Sequence, residues 1–456
     1  MNTNMKPKIL GIVAVVAVYL LQIGIYSVRQ PRIAIGNGRG DDGVTYGRMA
    51  EQFLAHHPVE GPAPFVYRIG GPWIASQYAN VFSVSVDDAF QQVNGILMLL
   101  LLLVIYWIAL DFCSPLAAAI ATCFYSLPWW SYTRCVFFYP VMGSDVPWMI
   151  IMMMGLHQLV WWSDWPPRKS QIGIFASLCF LAPIMRETGI VLPFLFLCSR
   201  SWIRRHVSLE VVLGDPDHSP SPSTNRRTEA ALSVLFVSLS ILAIAITRTV
   251  ATDTGKFTVG GKAYTFAGAV LESIGQNRLW HLVASVCLAY GGPLIALAFL
   301  YHRYLRLKLR QTPVLVIYGV AVLTLAYIGG VNTLRFLSWA SPPALIVIAH
   351  LAQKFWNEPT GRAGLIVARS GLILGTLYYM LMIHPFSGYF TYYYAWMDWG
   401  GLQFSSIRCL RYTLPCLALI GLFVLFGRKW IRESIGRAQP ANPPYPEPAA
   451  GSGPVI

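Results

Sequence analysis

Long apolar runs separated by short polar segments dominate the chain. The clearest runs cover residues 9–26, 93–110, 116–130, 146–162, 230–247, 314–328 and 365–383. A helix rises about 1.5 Å per residue, so roughly 20 apolar residues cross the hydrocarbon core of a bilayer, and shorter runs cross it with help from their flanks. The pattern predicts an all-α, polytopic integral membrane protein with about 12 transmembrane helices.

The apolar stretch 171–198 does not fit a whole number of spans. As one helix it would reach about 42 Å, which is too long for one upright span and too short for two. Basic residues flank both ends, with Arg168 before and Arg204 after, and the positive-inside rule places both flanks in the cytoplasm. We therefore predict a short broken hairpin that turns at Arg186 and Glu187.

An amphipathic segment follows the first run, within a predicted first outer loop at 27–92. Its apolar residues recur at helical spacing, at Tyr46, Met49, Ala50, Phe53 and Leu54. This spacing gives the segment one apolar face. We therefore predict an amphipathic helix that lies in the membrane interface.

Two adjacent carboxylates, Asp41 and Asp42, open this segment. An Asp just before a helix can cap it by accepting hydrogen bonds from the free amides, and the helix dipole favours the negative charge. One cap needs only one carboxylate, and a second beside it adds repulsion. The pair therefore also suits holding a divalent cation such as Mg²⁺ or Mn²⁺, or accepting a proton.

Composition supports the membrane assignment. Hydrophobic residues make up 55% of the chain and charged residues only 12%, whereas soluble domains average about 25% charged residues. The net charge of +14 resides mainly in short runs between apolar spans, such as HRYLRLKLR at 302–310. These runs report topology by the positive-inside rule, and they argue against a nucleic-acid-binding surface.

The same reasoning divides the chain. We predict a transmembrane domain at 1–437, a flexible cytoplasmic loop at 199–229 and a disordered tail at 438–456. The first helix is predicted to be uncleaved, with its N-terminus in the cytoplasm. The 8 Cys show no C-x-x-C spacing, and Cys135 and Cys409, both in predicted outer loops, form a candidate disulfide.

This topology places many charged residues near the outer membrane face, where the positive-inside rule predicts few basic ones. They are Asp41, Asp42, Arg68, Arg134, Asp145, Arg186, Glu187, Lys256, Lys262, Arg335, Asp398, Arg408 and Arg411. Arginines bind phosphate groups in a bidentate manner, and carboxylates beside them suit a cation or a general base. The combination indicates an enzyme that acts on a lipid-linked phosphate.

Several short motifs resemble the GT-C superfamily of membrane glycosyltransferases, and its bacterial members in particular. The Asp pair after the first helix, the acid at Asp145 and the segments PFVYRIGGPWIA, MRETGIVLP and NTLRFLSWASPP carry the resemblance, which covers about 1–343. It implies that a hexosyl or pentosyl group passes from a polyprenyl-phosphate donor to a lipid, glycan or protein acceptor. The site would lie on the non-cytoplasmic face, which for a bacterial inner membrane is the periplasmic or outer face.

The resemblance also implies roles for individual residues. The catalytic candidates are Asp41, Asp42 and Asp145, the donor-phosphate candidates are Arg68, Arg134, Arg186 and Arg335, and the supporting candidates are Tyr46, Tyr67 and Glu187. In an inverting mechanism, one carboxylate takes the proton of the acceptor hydroxyl as it attacks the anomeric carbon. The arginines would stabilise the departing lipid phosphate.

Simpler interpretations stay open for several of these residues. Asp145 could cap its helix, Arg186 and Glu187 could form an ion pair that holds the hairpin tip, and Arg335 could extend towards lipid headgroups. A twelve-helix secondary transporter or lipid-carrier translocator is the main alternative function. The two halves of the chain show no repetition, which argues against that class.

Overall fold

The computed structural model describes most of the chain up to residue 357 and short stretches beyond it. The described residues are 5–33, 35–127, 132–141, 145–161, 167–200, 226–255, 257–259, 262–264, 268, 271, 279–328, 333–357, 369–370, 372–373, 376–377, 413–414 and 416–425. The predicted helix at 365–383 lies largely outside them. Asp398, Arg408, Cys409, Arg411 and the predicted tail at 438–456 lie wholly outside them.

Helices make up most of the described structure. They are α1 (Met5–Arg29), α2 (Asp41–Leu54), α3 (Gly70–Phe82), α4 (Val86–Ala109), α5 (Pro115–Ser126), α6 (Tyr132–Phe138), α7 (Asp145–Trp161), α8 (Lys169–Met185), α9 (191–200), α10 (Arg226–Val250), α11 (Leu279–Tyr290), α12 (Gly292–Leu300), α13 (His302–Gln311), α14 (Pro313–Ile328), α15 (Thr333–Asn357) and α16 (Cys416–Leu425). Single-turn helices cover Ile35–Gly38, Phe65–Tyr67 and Glu187–Ile190.

Four helices among the described residues are long and apolar enough to cross a membrane. They are α1, α4, α10 and the part of α15 from Phe336 to Asn357. Shorter apolar helices, among them α5, α7, α8 and α14, pack with them around one core. The predicted all-α membrane architecture is therefore confirmed, whereas the number of about 12 spans is not.

The second predicted span begins earlier than its apolar run suggests. The run starts at residue 93, but α4 starts at Val86, because the Ser85 hydroxyl caps the helix by accepting from the amide of Asp88. Asp87 and Asp88 lie in the first turn, where the helix dipole favours them. Capping chemistry, and not hydrophobicity, sets this boundary. The first outer loop also contains a second helix, α3, that the amphipathic pattern did not predict.

The hairpin at 171–198 has its break where length and charge predict it. The first arm, α8, ends at Met185, Arg186 is extended, and a single helical turn follows before α9. Phe175 and Phe196, one from each arm, lie 6.1 Å apart between ring centroids, and Phe236 of α10 packs against both. The two arms therefore fold back on each other against α10.

The structure describes only the two ends of the predicted loop at 199–229, and both ends are helical. Residue Arg200 is the last described residue of α9, and α10 already begins at Arg226. The Arg200 guanidinium donates to the Glu229 carboxylate at 2.9 Å, and both side chains are buried. Because each side chain neutralises the charge of the other, both residues can be buried between helices. Their polar composition alone did not indicate this burial.

Two short strands fasten the first outer loop to the end of α10. Strand β1 (Val59–Gly61) pairs in parallel with β2 (Ala251–Asp253), and the Ala63 amide donates to the Asp253 carboxylate at 2.9 Å. A separate antiparallel pair joins β3 (Phe257–Val259) and β4 (Lys262–Tyr264). The link between β1 and β2 holds the segment after α2 beside the hairpin and α10.

The hairpin turn depends on a glycine in close contact with backbone. A Cβ at Gly189 would lie 2.3 Å from the carbonyl carbon of Ala182 and 2.6 Å from the nitrogen of Pro183. We predict that Gly189→Ala lowers the free energy of unfolding by roughly 1–3 kcal/mol, because these backbone atoms have little room to move. Thermal unfolding in detergent measures the effect.

Gly173 provides a matched control on the same hairpin. A Cβ there meets no atom within 4 Å. Gly173→Ala should leave stability unchanged or raise it by up to about 1 kcal/mol, since Ala favours helix. Equal unfolding temperatures for the two variants would contradict the tight turn.

Candidate active site at one end of the helix bundle

Several helix ends meet at one end of the bundle, around the tip of the hairpin. The N-termini of α7 and α15 and the C-termini of α8 and α10 come together there. The first outer loop packs against them through β1, β2 and the single turn Phe65–Tyr67. Residues far apart in sequence are therefore neighbours at this end.

A buried ion pair joins the start of α7 to the break of the hairpin. Arg186 Nη1 donates to Asp145 Oδ1, and the two residues are only 4% and 1% exposed. Asp145 is the first residue of α7, so the dipole of that helix also favours its negative charge. Removing one partner of such a pair would leave an uncompensated buried charge.

A second ion pair joins the hairpin tip to the first outer loop. Arg68 holds Glu187 in a bidentate manner, with Nε to Oε2 at 2.8 Å and Nη2 to Oε1 at 2.5 Å. Its remaining nitrogen, Nη1, donates to the Tyr46 hydroxyl of α2 at 3.0 Å. Burial alone would lower the pKa of Arg68, but the Glu187 carboxylate raises it above its usual value, so Arg68 stays charged.

The two ion pairs form one continuous charge chain, because Arg186 and Glu187 are adjacent in sequence. The order Asp145, Arg186, Glu187, Arg68 alternates negative and positive charge, and the four residues together are neutral. An ion pair between Arg186 and Glu187 themselves was one interpretation of the sequence. The structure joins each of them to a distant segment, so the pairs connect α7, the hairpin and the outer loop.

Aromatic residues from α6 and α15 complete the surroundings of Asp145. The Tyr132 hydroxyl donates to Asp145 Oδ2 at 3.3 Å and accepts from Trp339 Nε1 at 3.1 Å and from Ser338 Oγ at 3.3 Å. The Arg186 guanidinium lies 4.6 Å from the centroid of the Trp339 ring, a cation–π distance. Sequence reasoning did not assign roles to Tyr132 or Trp339, because buried aromatic residues in apolar spans carry no distinctive pattern.

The Asp pair lies at the N-terminus of α2, against the segment that leads to Asp145. The Gly43 amide donates to the Tyr139 hydroxyl at 2.8 Å, and a Cβ at Gly43 would lie 2.9 Å from the Val141 carbonyl oxygen. Asp42 is half-buried, whereas the side chain of Asp41 lies outside the described part of the structure.

The expectation that an Asp caps α2 from outside is wrong. Asp41 is already the first helical residue, and Gly40 occupies the N-cap position without a side-chain hydrogen bond. Gly40 has a φ of 70°, and a Cβ there would lie 2.2 Å from the Tyr139 ring, so both conformation and space require glycine. The two carboxylates still lie in the first turn, where the helix dipole favours them.

The other predicted residues have different surroundings. Arg335 lies in the first turn of α15, one turn before Trp339, and its side chain is outside the described part. Arg134 Nε donates to Gln30 at 2.7 Å, so this residue contacts the end of α1. Tyr67 lies beside Arg68, and the Arg248 guanidinium of α10 covers its ring at 4.4 Å.

The remaining predictions for this end concern a metal ion and a disulfide. Among the residues whose side chains the structure describes, no three His, Cys, Asp or Glu side chains form a group that could hold a metal ion. Asp41 is not among those side chains, so the proposed cation ligands stay a prediction. Cys135 is buried in α6, and its predicted partner Cys409 is outside the described residues.

Comparison with protein-family models and with curated protein sequences gives no match. Among solved structures, the chain is similar to the oligosaccharyltransferase of Archaeoglobus fulgidus. The apo form gives a TM-score of 0.51 at 10% identity, covering 82% of this chain and 55% of that one. The same enzyme, AglB, with an inhibitory peptide and a dolichol-phosphate, gives 0.52 at 10% identity with the same coverage.

A bacterial structure gives a lower score. ArnT from Cupriavidus metallidurans, bound to undecaprenyl phosphate, has a TM-score of 0.49 at 12% identity, covering 94% of this chain and 77% of that one. The chain spans about half the length of the oligosaccharyltransferase it matches. The likeness to that enzyme shows that the two chains share a fold. This agrees with the all-α membrane fold that the sequence motifs imply.

We predict strong energetic coupling between Arg68 and Glu187. Glu187→Gln should lower the free energy of unfolding by about 3 kcal/mol, because it leaves the buried Arg68 charge without its partner. Arg68→Gln should lower it by less, because Glu187 is half-buried and solvent screens its charge. The double variant should lose less than the sum, with a coupling free energy of about 2 kcal/mol. Denaturant unfolding in detergent measures all three variants.

Arg32 and Asp88 supply the matched control. They form a more exposed ion pair in the same outer loop, 3.4 Å apart, with side chains 44% and 52% exposed. Arg32→Gln and Asp88→Asn should couple by less than about 1 kcal/mol, because solvent screens the pair. Similar coupling in both cycles would show that burial does not strengthen the Arg68–Glu187 pair.

Proposed function

We propose that this protein is a membrane glycosyltransferase that moves a sugar from a polyprenyl-phosphate donor to an acceptor. The observation that supports this most is the ion-pair chain of buried Asp145, Arg186 and Arg68 with half-buried Glu187, beside the N-terminus of α2, in a chain with a GT-C-like fold. A dolichol-phosphate is bound to the archaeal enzyme of similar fold. A lipid carrier of the same chemistry suits a site at the end of a membrane-spanning bundle.

The proposed general base is Asp42 or Asp41. Both Asp145 oxygens already have partners, since Oδ1 accepts from Arg186 and Oδ2 from Tyr132. A carboxylate that is stabilised in this way is a weak base. Asp145 therefore has the role of fixing Arg186. Asp41 and Asp42 are the proposed bases because they form the acidic motif after the first helix and lie in the first turn of α2.

The proposed reaction inverts the anomeric carbon. The acceptor oxygen forms a bond to that carbon while the bond from carbon to the phosphate oxygen breaks, and the acceptor proton passes to the carboxylate. Polyprenyl phosphate leaves with its extra negative charge. The acceptor is a lipid, a glycan or a protein.

Arg335 is the proposed binding residue for the donor phosphate. The three guanidinium nitrogens of Arg68 already donate to Glu187 and Tyr46, so Arg68 has the role of positioning the hairpin tip. Arg186 lies between Asp145 and the Trp339 ring and adds positive potential. The backbone of Arg335 lies one turn before Trp339 on α15, at the same end of the bundle, and a guanidinium binds phosphate in a bidentate manner.

A divalent cation fits the chemistry of the Asp pair. Carboxylate oxygens are the ligands that Mg²⁺ and Mn²⁺ prefer, and Asp41 and Asp42 are the residues that would hold such an ion. When bound, the ion would neutralise negative charge on the donor phosphate.

The proposed site faces away from the cytoplasm, in a bacterial inner membrane. The basic helix α13 lies between two apolar helices, and the positive-inside rule places its charges in the cytoplasm. Tyr304 of α13 contacts His350, which is 11 residues further along α15 than Trp339, a distance of about 16 Å along the helix. The charge chain and α13 therefore belong to opposite ends of α15.

We predict that Asp42→Asn and Asp41→Asn lower the rate of sugar transfer, by about 10²- to 10⁴-fold for the residue that acts as the base. Purified protein in liposomes, supplied with a panel of polyprenyl-phosphate sugars, would be assayed for sugar transfer or hydrolysis. Glu60→Gln removes an exposed carboxylate from the same outer loop and should leave the rate unchanged. Normal rates in both Asp variants, with unchanged thermal stability, would show that neither carboxylate is the base.

Donor binding gives an independent measurement. Arg335→Gln should weaken the binding of undecaprenyl phosphate by about 10- to 100-fold, as expected when a charge-assisted hydrogen bond is lost. Native mass spectrometry in detergent reports this affinity without any sugar transfer. Arg48→Gln, which neutralises an exposed arginine of α2, is the matched control. Equal affinity in the wild type and in Arg335→Gln would remove Arg335 from the proposed site.

A further inference from the structure

Helix α13 is strongly basic and contains no acidic residue. Its sequence, HRYLRLKLRQ, places Arg303, Arg306, Lys308 and Arg310 within ten positions. Arg303, Arg306 and Arg310 are three and four residues apart, so they share one face of the helix by register. The helices before and after it, α12 and α14, are both apolar. Helix α13 is therefore a basic segment between two hydrophobic ones.

The helix is held in place by its contacts with the C-terminal half of α15. The Tyr304 hydroxyl is 2.8 Å from His350 Nε2, the two rings are stacked, and His350 Nδ1 is 2.8 Å from the Phe112 carbonyl oxygen. Lys354 lies over the Tyr304 ring at 4.4 Å and adds a further exposed cation. His350 of α15 thus contacts Tyr304 of α13 through one ring nitrogen and the segment after α4 through the other.

The described part of α13 has an exposed side and a packed side. His302 and Arg306 are exposed, whereas Tyr304, Leu305 and Leu309 are half-buried. Tyr304 also packs against the apolar cluster formed by Leu297, Leu351 and their neighbours. A basic helix that is anchored on one side and lies between apolar segments is typical of a membrane-surface helix.

We propose that α13 is a binding site for the headgroups of anionic phospholipids. Topology alone would require only that basic residues lie near the membrane, in any arrangement. Here the basic residues belong to one helix whose Tyr304 packs on α15, so their backbone positions are fixed relative to the bundle. Charge complementarity selects anionic headgroups, which lie at high local concentration beside the ends of the apolar helices.

The test compares two lipids as probes for binding to the intact protein. Phosphatidylglycerol is the anionic probe and phosphatidylcholine is the zwitterionic one, each titrated in detergent and followed by native mass spectrometry. The wild type should bind phosphatidylglycerol more tightly. The triple variant Arg303→Gln/Arg306→Gln/Arg310→Gln should weaken that binding on the order of 100-fold, because each cation near a headgroup contributes several-fold.

A second triple variant controls for net charge. Arg29→Gln/Arg32→Gln/Arg48→Gln removes three exposed cations from the other end of the bundle and should retain the phosphatidylglycerol affinity. Equal binding of the two lipids by the wild type would overturn the proposal, and so would an equal loss in both triple variants. A preference for a soluble acidic peptide over either lipid would also overturn it, in favour of a protein partner. No sugar donor is present, so the outcome is separate from that of the proposed glycosyltransferase activity.

Discussion

The structure depends on the cost of burying charge. An isolated ion in a low-dielectric interior costs several kcal/mol, so buried charges persist only with partners. Arg68, Asp145 and Arg186 are all at most 5% exposed, and each has an ionic partner from another segment. Because these partners come from α7, the hairpin tip and the first outer loop, satisfying the charges fixes the relative positions of those three segments. The same end of the bundle thereby gains a rigid frame of oriented polar groups.

The broken hairpin makes this frame geometrically feasible. A continuous helix through 185–190 would point successive side chains about 100° apart around one axis. The extended residue Arg186 and the following single turn, packed closely at Gly189, replace that geometry with a sharp change of direction. Adjacent residues can then reach opposite partners, Arg186 towards Asp145 and Glu187 towards Arg68. The break in regular structure is tolerated because it is surrounded by protein on several sides.

Sequence reasoning recovered features that follow from length, periodicity and charge. The hairpin break follows from a stretch too long for one span, and the position of α2 follows from the helical spacing that begins at Tyr46. The sequence did not indicate ion pairs or hydrogen bonds between polar residues that are distant in the chain. Arg200 and Glu229 appear in sequence as parts of a polar loop, yet they form a buried pair. Likewise, the hydrogen bonds of Tyr132 connect α6, α7 and α15, and nothing in its local sequence indicates those partners.

The two ends of the bundle use charge in opposite ways. At the end with Asp145 and Arg186, opposite charges alternate and the four-residue chain is neutral, so the local field is set by orientation and not by net charge. Such a preorganised arrangement is suited to stabilising charge that develops during a reaction. At the other end, α13 carries several cations and no acid, so its field extends outward over roughly a Debye length of about 8–10 Å. A paired interior cluster favours local chemistry, whereas a helix that carries several basic residues and no acidic one favours association with an extended anionic surface.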